Sequence, residues 1–255
     1  MHDSPLVYKE ESRVAWLVIN REEKRNSLNA DVLRLFLSHL DRAEEDQDIR
    51  ALCVTGTGDR AFCSGADLSG AGGGGEEMST LFADLIKRLA GFPKPTVARV
   101  NGACLAGGVG LMLACDIVVA ADHATFGTPE VNVGLFPMII GALILRDVPR
   151  KKAMEMALLG KRFTAEEALQ MGLVNRVVPR DALDGEVGGV LEALVSKSPI
   201  GMRIGKGAFH AAMDMPFERA IDFLAQKLVE VASTQDAVEG IIAFLQKRDP
   251  VFRGE

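Results

Sequence analysis

The sequence predicts an α/β fold that ends in a helical region. Four short runs of β-branched and apolar residues predict strands over 14–19, 51–55, 95–100 and 116–120, and helical patterns lie between them. From about Arg180 onward the strand signals stop and only helical patterns remain. Strands that alternate with helices are typical of crossover connections, so the first part of the chain is predicted to be an α/β body.

The first strand and the first helix carry the clearest local signals. The run over 14–19 reads VAWLVI and ends at the polar residue Asn20. Asn29 can accept a hydrogen bond from the first turn of a helix and is predicted to cap one. That helix has apolar residues at spacings of three and four, as expected for a buried face: Leu33, Phe36, Leu37, Leu40 and Ala43.

The C-terminal region is predicted to be helical over 191–195, 200–213, 217–231 and 237–247. The third helix is the clearest, because its apolar residues share one face: Phe217, Ala220, Ile221, Leu224, Leu228 and Val231. We therefore divide the chain into an α/β core over 1–190 and a helical region over 191–255. The helical region has enough apolar surface to dock on the core or on a second subunit.

Composition excludes several classes of protein. The 255 residues include 29 Lys and Arg against 35 Asp and Glu, a net charge of −6, and 48% of residues are hydrophobic. An acidic chain whose only Trp and Tyr are Trp16 and Tyr8 offers neither a basic surface nor a stacking platform for nucleic acid. The longest apolar run, over 135–145, is too short to span a membrane. The N-terminus has no signal-peptide pattern, and we expect a cytoplasmic protein.

Cysteine and histidine usage predicts neither disulfides nor a metal site. The four cysteines lie in apolar surroundings without a C-x-x-C pair, which favours buried free thiols: Cys53, Cys63, Cys104 and Cys115. The four histidines are scattered and form no H-x-x-x-H pattern. The glycine-rich segment over 69–75 is interpreted as a loop, either a surface linker or a lid.

Two segments combine a preceding strand with small residues. Residues 61–68 read AFCSGADL, and residues 101–111 read NGACLAGGVGL. Glycines allow a ligand to approach backbone N–H groups, and two such groups from different segments can hold one oxygen atom as an oxyanion hole. The alternative is that small residues only permit close helix packing. The second segment is not G-x-G-x-x-G, so a dinucleotide site is not supported.

A third segment contains one carboxylate among apolar residues. Residues 126–137 read FGTPEVNVGLFP, with Glu130 at the fifth position. Burial there would raise the pKa of Glu130 and make it a competent general base. The alternative is structural: Thr128 caps a short helix, and Pro129 and Glu130 fill its first turn.

In this order and spacing, the three segments resemble the enoyl-CoA hydratase/isomerase (crotonase) superfamily. The resemblance extends over 14–247 and includes four further pieces: RNSLN over 25–29, ACD over 114–116, TAEEA over 164–168 and MGLVN over 171–175. It implies a spiral of β-β-α turns with a C-terminal helical trimerisation region, as a trimer or a dimer of trimers. It also implies an acyl-CoA thioester substrate, with coenzyme A as part of the substrate and no separate cofactor or metal.

The resemblance assigns roles to particular residues. The peptide N–H groups of Ala66 and Gly107 match the family's donors to a thioester enolate oxygen, and Glu130 matches a catalytic glutamate. The coenzyme A wall of the family falls on Arg25, Asn26, Ser27, Leu28, Ala66, Asp67, Leu68 and Ser69. Phe244 and Lys247 match a position that reaches the nucleotide, often across a subunit interface. The alternatives are a turn residue for Asp67 and a solvated helix-end cation for Lys247.

The sequence departs from the hydratase pattern at two places. The first of the two family glutamates falls on Gly110, and the turn after the second reads PMIIG over 137–141, with a peptide N–H near Met138. One carboxylate suits proton transfer better than water addition, because no partner orients the water. The sequence therefore predicts isomerisation of 3-enoyl-CoA to 2-enoyl-CoA. The alternatives are an enoyl-CoA hydratase, or a non-catalytic acyl-CoA-binding subunit.

Overall fold

The computed structural model describes residues 4–67 and 75–255. The predicted residues Leu68 and Ser69, and most of the glycine-rich segment, lie outside the described residues. Within them the strands are β1 (Leu6–Glu11), β2 (Val14–Ile19), β3 (Ala51–Gly56), β4 (Ala61–Cys63), β5 (Thr96–Val100), β6 (Ala103–Leu105), β7 (Ile117–Ala121), β8 (Thr125–Gly127), β9 (Phe163–Thr164) and β10 (Arg176–Val178).

The helices in the described residues alternate with the strands in the first part of the chain, and only helices follow β10, as predicted. They are α1 (Ala30–Glu45), α2 (Glu76–Ala90), α3 (Gly107–Leu113), α4 (Met138–Asp147), α5 (Arg150–Leu159), α6 (Ala165–Gln170), α7 (Leu183–Val195), α8 (Pro199–Ala212), α9 (Phe217–Ala232) and α10 (Gln235–Gln246). Short 3-10 helices lie at Glu22–Lys24, Pro129–Val133 and Arg180–Ala182.

The strands form two sheets, with orders β1-β2-β3-β5-β7-β10 and β4-β6-β8-β9. From β3 onward the chain repeatedly places a strand in the large sheet and then a short strand in the small sheet. A helix follows β4 and β6 before the chain returns to the large sheet. This succession is a spiral of β-β-α turns, which confirms the predicted fold. It brings the ends of β4, β6 and β8 side by side.

All four predicted strands are present, as β2, β3, β5 and β7. Strand β1, most of whose residues are only partly buried or exposed, was not predicted. Strand β10 and the strands of the small sheet were not predicted either, and they have two or three residues each. A two-residue turn joins β1 to β2, and both of its residues, Ser12 and Arg13, have positive φ. Positive φ at both positions suits the twist of a tight hairpin.

The predicted core of the first helix is confirmed. The Asn29 side chain accepts a hydrogen bond from the Val32 N–H at 3.0 Å and caps α1, and Leu33, Phe36 and Leu40 are fully buried. All four cysteines are buried free thiols, as predicted. Burial raises the pKa of the Cys63 thiol to about 12, so that this thiol is not a nucleophile at neutral pH.

The C-terminal helices differ from the prediction mainly at their start. The helix predicted over 191–195 begins earlier, as α7 at Leu183, because Leu183 and Val187 are buried in a cluster with residues of the large sheet. The proposed boundary after residue 190 therefore falls inside a helix, and the division into two regions stays a prediction. Helix α9 has no buried residue. No helix in 4–67 or 75–255 is long and apolar enough to cross a membrane.

Candidate active site

A cavity of about 610 Å³ lies where the ends of the short strands meet α2, α3 and α4. Its lining includes five residues that the sequence predicted for the site: Leu28, Ala66, Gly107, Glu130 and Met138. It also contains residues that the sequence reasoning missed, such as Ser64, Phe82, Asn132 and Ile140. Phe82 and Ile140 belong to helices far apart in the chain, so only the fold brings them together.

The backbone around Ala66 is fixed by a short parallel bridge to Leu28. The Leu28 N–H donates to Gly65 O at 2.8 Å, and the Asp67 N–H donates to Leu28 O at 2.8 Å. In such a bridge the N–H of the middle residue points away from the partner strand. Accordingly, the Ala66 N–H has no hydrogen-bond acceptor among the described residues. It is a donor available to a bound ligand.

The second donor follows an unusual backbone conformation. Ala106 has φ 51° and ψ −126°, and Gly107 is the first residue of α3, so its N–H has no acceptor within that helix. A methyl group placed on Gly65 would lie 3.2 Å from the Gly107 nitrogen, so the two predicted donor segments are in contact. Small residues also serve packing here: a methyl on Gly108 would lie 2.3 Å from Cys63 O.

Glu130 lies in the 3-10 helix Pro129–Val133, at the edge of the same cavity. Its Oε2 is buried and accepts no hydrogen bond from the described residues. Burial raises the pKa of this carboxyl group. The structural alternative was partly right, because Pro129 does begin a short helix. Thr128 does not cap it, since the Thr128 hydroxyl donates instead to Met156 O at 3.0 Å.

Gly110, the position that matches the family's other glutamate, lies behind the cavity-lining residue Ile140. Gly110 is buried in α3, and a Cβ atom added to it would lie 2.2 Å from Ile140 Cγ2 and 3.5 Å from Ile86 Cδ1. The Ile140 side chain, from the first turn of α4, therefore fills the space next to the Gly110 backbone. A glutamate at position 110 would require Ile140 to move.

The Met138 N–H itself is not a free donor, and the expected peptide N–H near Met138 stays a prediction. The Met138 N–H donates to Phe136 O at 2.8 Å, because the chain turns tightly through Pro137 before α4 begins. The Met138 side chain lines the cavity at its rim and is 74% exposed. Its contact with a substrate would therefore be made by the thioether side chain.

Three further residues that the sequence placed in the coenzyme A wall do not line the cavity, but they form hydrogen bonds next to it. The Asn26 side chain is buried, and its Nδ2 donates to Ala61 O at 2.7 Å and to Thr57 O at 3.0 Å. Ser27 and Asp67 are joined by Arg21, which donates to Ser27 O at 2.7 Å and pairs with the Asp67 carboxylate at 2.8 Å. The sequence reasoning missed Arg21, which carries no motif signal. Arg25 is exposed on the same turn.

Phe244 and Lys247 lie at the end of α10 and do not line the cavity in the described part of the chain. Phe244 is 82% exposed, and Lys247 ends the helix with φ 54°. Their contact with the nucleotide of coenzyme A stays a prediction. It would require that these residues reach the cavity of a second subunit.

A larger cavity of about 750 Å³ lies between α8 and the α/β body. Its lining includes Asp116 and Lys206, which form an ion pair at 2.6 Å. None of the predicted site residues lines it. Among residues 4–67 and 75–255, no three His, Cys, Asp or Glu side chains are close enough to hold a metal ion.

Comparison with known proteins agrees with this geometry. The family described as enoyl-CoA hydratase/isomerase matches residues 9–255. The 2,3-dehydroadipyl-CoA hydratase of Escherichia coli is 34% identical over 98% of this chain and 99% of the relative, and the short-chain-enoyl-CoA hydratase of Clostridium acetobutylicum is 32% identical over 95% of each. The crystal structure of an enoyl-CoA hydratase from Bacillus anthracis superimposes with a TM-score of 0.94, at 31% identity, over 98% of this chain and 100% of that one.

The two-sheet spiral and these matches define an acyl-CoA-processing enzyme of the crotonase superfamily. The chain belongs to the enoyl-CoA hydratase/isomerase family.

Proposed function

We propose that this enzyme isomerises 3-enoyl-CoA thioesters to 2-enoyl-CoA thioesters with Glu130 as its single acid–base group. The observation that carries the proposal is the contact between the Gly110 backbone and Ile140. A Cβ on Gly110 would lie 2.2 Å from Ile140 Cγ2, so an apolar side chain fills the space beside the position where a hydratase of the family has its other glutamate.

The proposed reaction begins with the Glu130 carboxylate removing a proton from the α-carbon of the thioester. The electron pair of that C–H bond moves toward the thioester oxygen, which becomes an enolate oxygen. The Ala66 and Gly107 N–H groups hold this negative charge where it develops. Glu130 then returns the proton to the γ-carbon, and the double bond moves into conjugation. Atoms and charge balance without a cofactor, and coenzyme A is part of the substrate.

Burial supports Glu130 in this role. A carboxylate with one buried, unbonded oxygen has a raised pKa, which brings it closer to the pH at which it must both accept and return a proton. A non-catalytic acyl-CoA-binding subunit would gain nothing from a buried oxygen without a hydrogen bond, which costs about 1–3 kcal/mol.

Hydration of 2-enoyl-CoA is the second candidate. It is favoured by the names of the relatives from E. coli and C. acetobutylicum, both of which are hydratases. Addition of water needs groups that hold the water on one face of the double bond, and Glu130 would have to do so without a second carboxylate.

A substrate panel tests the proposal. Purified enzyme is incubated separately with 3-hexenoyl-CoA, 2-hexenoyl-CoA and 3-hydroxyhexanoyl-CoA, and products are identified by chromatography and mass. Conversion of the 3-enoyl thioester without a change in mass is expected, with little product 18 mass units heavier. A panel in which only the heavier product forms would favour the hydratase.

We further propose that the chain self-associates through its C-terminal helices, as a trimer or a dimer of trimers. Large apolar side chains on α9 and α10 are exposed, with Phe217 at 79%, Leu228 at 68% and Phe244 at 82%. Single exposed apolar residues are normal on a monomer, whereas a larger exposed apolar surface indicates an interaction site. Light scattering at micromolar concentration is expected to give at least a threefold multiple of the 27.4 kDa chain, and a monomer mass would contradict self-association.

A further inference from the structure

We propose that this enzyme takes thioesters with an uncharged hydrocarbon acyl group and excludes thioesters whose acyl group ends in a carboxylate. The inference rests on the proposed function in one respect: Glu130 acts on the α-carbon, so the acyl group lies in the cavity that Glu130 lines. Membership of the family does not decide the class of acyl group. The E. coli relative, at 34% identity, is named for 2,3-dehydroadipyl-CoA, a thioester with a carboxylate at the far end of its acyl group.

The first observation is the charge of the cavity lining. Among the described residues that line the cavity, Glu130 is the only charged one, and none is a lysine, arginine or histidine. The segment over 68–74, which lies outside the described residues, reads LSGAGGG in the sequence and contains no charged residue. The first two residues of α2 are Glu76 and Glu77, so the next charges along the chain are negative. In the described lining, an acyl carboxylate would meet no cation and one carboxylate of like charge.

The second observation is that the apolar lining continues to the mouth of the cavity. Ile140 is 2% exposed and forms part of the inner lining. The side chains of Leu135, Phe136 and Met138 also line the cavity and are exposed to solvent. A hydrocarbon chain is stabilised by contact with such a surface. An ionised carboxylate at the same place loses its hydration without gaining an ion pair, and this is unfavourable.

The third observation concerns the neutral polar side chains of the lining. In the described part of the chain these are the Ser64 and Ser79 hydroxyls and the Asn132 amide. Asn132 Nδ2 already donates to Gly160 O at 3.1 Å, and Ser79 is exposed to solvent. In the proposed reaction the two backbone donors are engaged by the thioester oxygen. One hydroxyl and one remaining amide N–H do not replace the hydration of a carboxylate, which proteins usually bind with arginine or lysine.

The test compares three thioesters that have the same carbon chain and no double bond to isomerise or hydrate. Hexanoyl-CoA ends in a methyl group, adipoyl-CoA ends in a carboxylate, and the monomethyl ester of adipoyl-CoA is neutral. In calorimetric titrations, adipoyl-CoA is expected to bind at least about 30-fold more weakly than hexanoyl-CoA, because its carboxylate is desolvated without a cation. The methyl ester should bind within about fivefold of hexanoyl-CoA, since it carries no charge.

Two results of this comparison would overturn the inference. Equal Kd values for hexanoyl-CoA and adipoyl-CoA would show that the cavity does not discriminate by charge. Equal weakening of adipoyl-CoA and its methyl ester would show that the size of the terminal group decides, and not its charge.

A cation added to the lining should weaken the discrimination. Met138→Lys places an ammonium group on a side chain that lines the cavity and is 74% exposed, so folding should be little affected. The Kd of adipoyl-CoA should fall at least about tenfold from the wild-type value, and that of hexanoyl-CoA should stay within about threefold. Leu145→Lys is the matched control, because Leu145 is exposed on the same helix and does not line the cavity. It should change neither Kd. A folded Met138→Lys variant without a gain in adipoyl-CoA affinity would overturn the inference.

Turnover separates this inference from the proposed function. The kcat/KM for isomerisation of 3-hexenoyl-CoA should exceed that of 3-hexenedioyl-CoA at least about 100-fold. If neither is isomerised, the proposed function is wrong, and the calorimetric series still decides the class of acyl group. The turnover comparison is then made for hydration of 2-hexenoyl-CoA and 2-hexenedioyl-CoA. Faster turnover of the dicarboxylic thioester in either reaction would overturn the inference, because it would require a cation from outside the described lining.

Discussion

The two positions that match the family's catalytic glutamates differ in this chain. At one position Glu130 keeps its carboxylate, with Oε2 buried and without a hydrogen bond from the described residues. At the other position Gly110 has no side chain, and Ile140, which lines the cavity, occupies the adjoining space. The space that a side chain at position 110 would enter is therefore filled by Ile140 and is not a water-sized void. The cavity is therefore suited to one proton-transfer group in apolar surroundings.

The largest expected effect comes from removing the remaining carboxylate. Glu130→Gln should lower kcat at least about 100-fold while acyl-CoA affinity stays nearly unchanged, because the amide keeps the size of the side chain and cannot take a proton. Steady-state kinetics and calorimetric binding of butyryl-CoA measure the two quantities. Glu166→Gln is the matched control, since Glu166 is an exposed glutamate on α6. Wild-type turnover in Glu130→Gln would remove Glu130 from the mechanism.

Substitutions at Gly110 and Ile140 should increase hydration relative to isomerisation. The double variant Gly110→Glu with Ile140→Gly supplies a second carboxylate and clears the space for it. The ratio of hydration to isomerisation should then rise at least about tenfold, because a water can be held by two acceptors. Gly110→Glu alone should be destabilised by the contact with Ile140, and Ile140→Gly alone controls for the opened space. An unchanged ratio in a folded double variant would show that the missing carboxylate does not limit hydration.

The pH dependence reports the surroundings of Glu130. A general base must be ionised, so kcat/KM for proton removal rises with pH through its pKa. Burial raises that pKa above the ordinary value of a glutamate. Between about pH 4 and pH 9, the midpoint of the rise should lie above the ordinary glutamate range, provided that the fold is intact throughout. A midpoint at or below that range would show that Glu130 is not desolvated.

The smallest effect is on stability. A carboxyl whose pKa is raised by folding contributes stability that is present below the unfolded pKa and lost as pH rises through the folded pKa. At neutral pH the ionised Glu130 is therefore a destabilising group, although partial exposure keeps the effect small. Glu130→Gln should raise the thermal midpoint by about 1–3 °C at pH 8 and by less at pH 4. Calorimetry at the two pH values checks the sign, and a larger rise at pH 4 would contradict it.

The fold class and some of the residues that line the cavity could be predicted from the sequence. Apolar runs predicted four of the six strands of the large sheet, and Asn29 predicted the start of α1, because these signals are local. The short strands of the small sheet have too few residues for a pattern. The order of the motifs predicted Glu130, Ala66 and Gly107 as site residues, and the structure places all three at one cavity. It did not predict Phe82, because that residue belongs to a helix whose place beside Gly107 is set by tertiary packing.

At two positions the structure adds what family position did not predict. A peptide N–H was expected near Met138, and Asn26 was placed in the segment that matches the family's coenzyme A wall. The structure uses the Met138 N–H in a tight turn and turns the Asn26 amide inward to Ala61 and Thr57. Family position assigns a residue to a neighbourhood, whereas the direction of its polar groups depends on the local backbone.

The most direct test of the single-carboxylate mechanism compares two rates in one preparation of the wild-type enzyme. One is kcat/KM for isomerisation of 3-hexenoyl-CoA, and the other is kcat/KM for hydration of 2-hexenoyl-CoA. With Ile140 against Gly110, isomerisation should exceed hydration at least about tenfold, because only one acid–base group is available. Rapid hydration of 2-hexenoyl-CoA with 3-hexenoyl-CoA left untouched would contradict it.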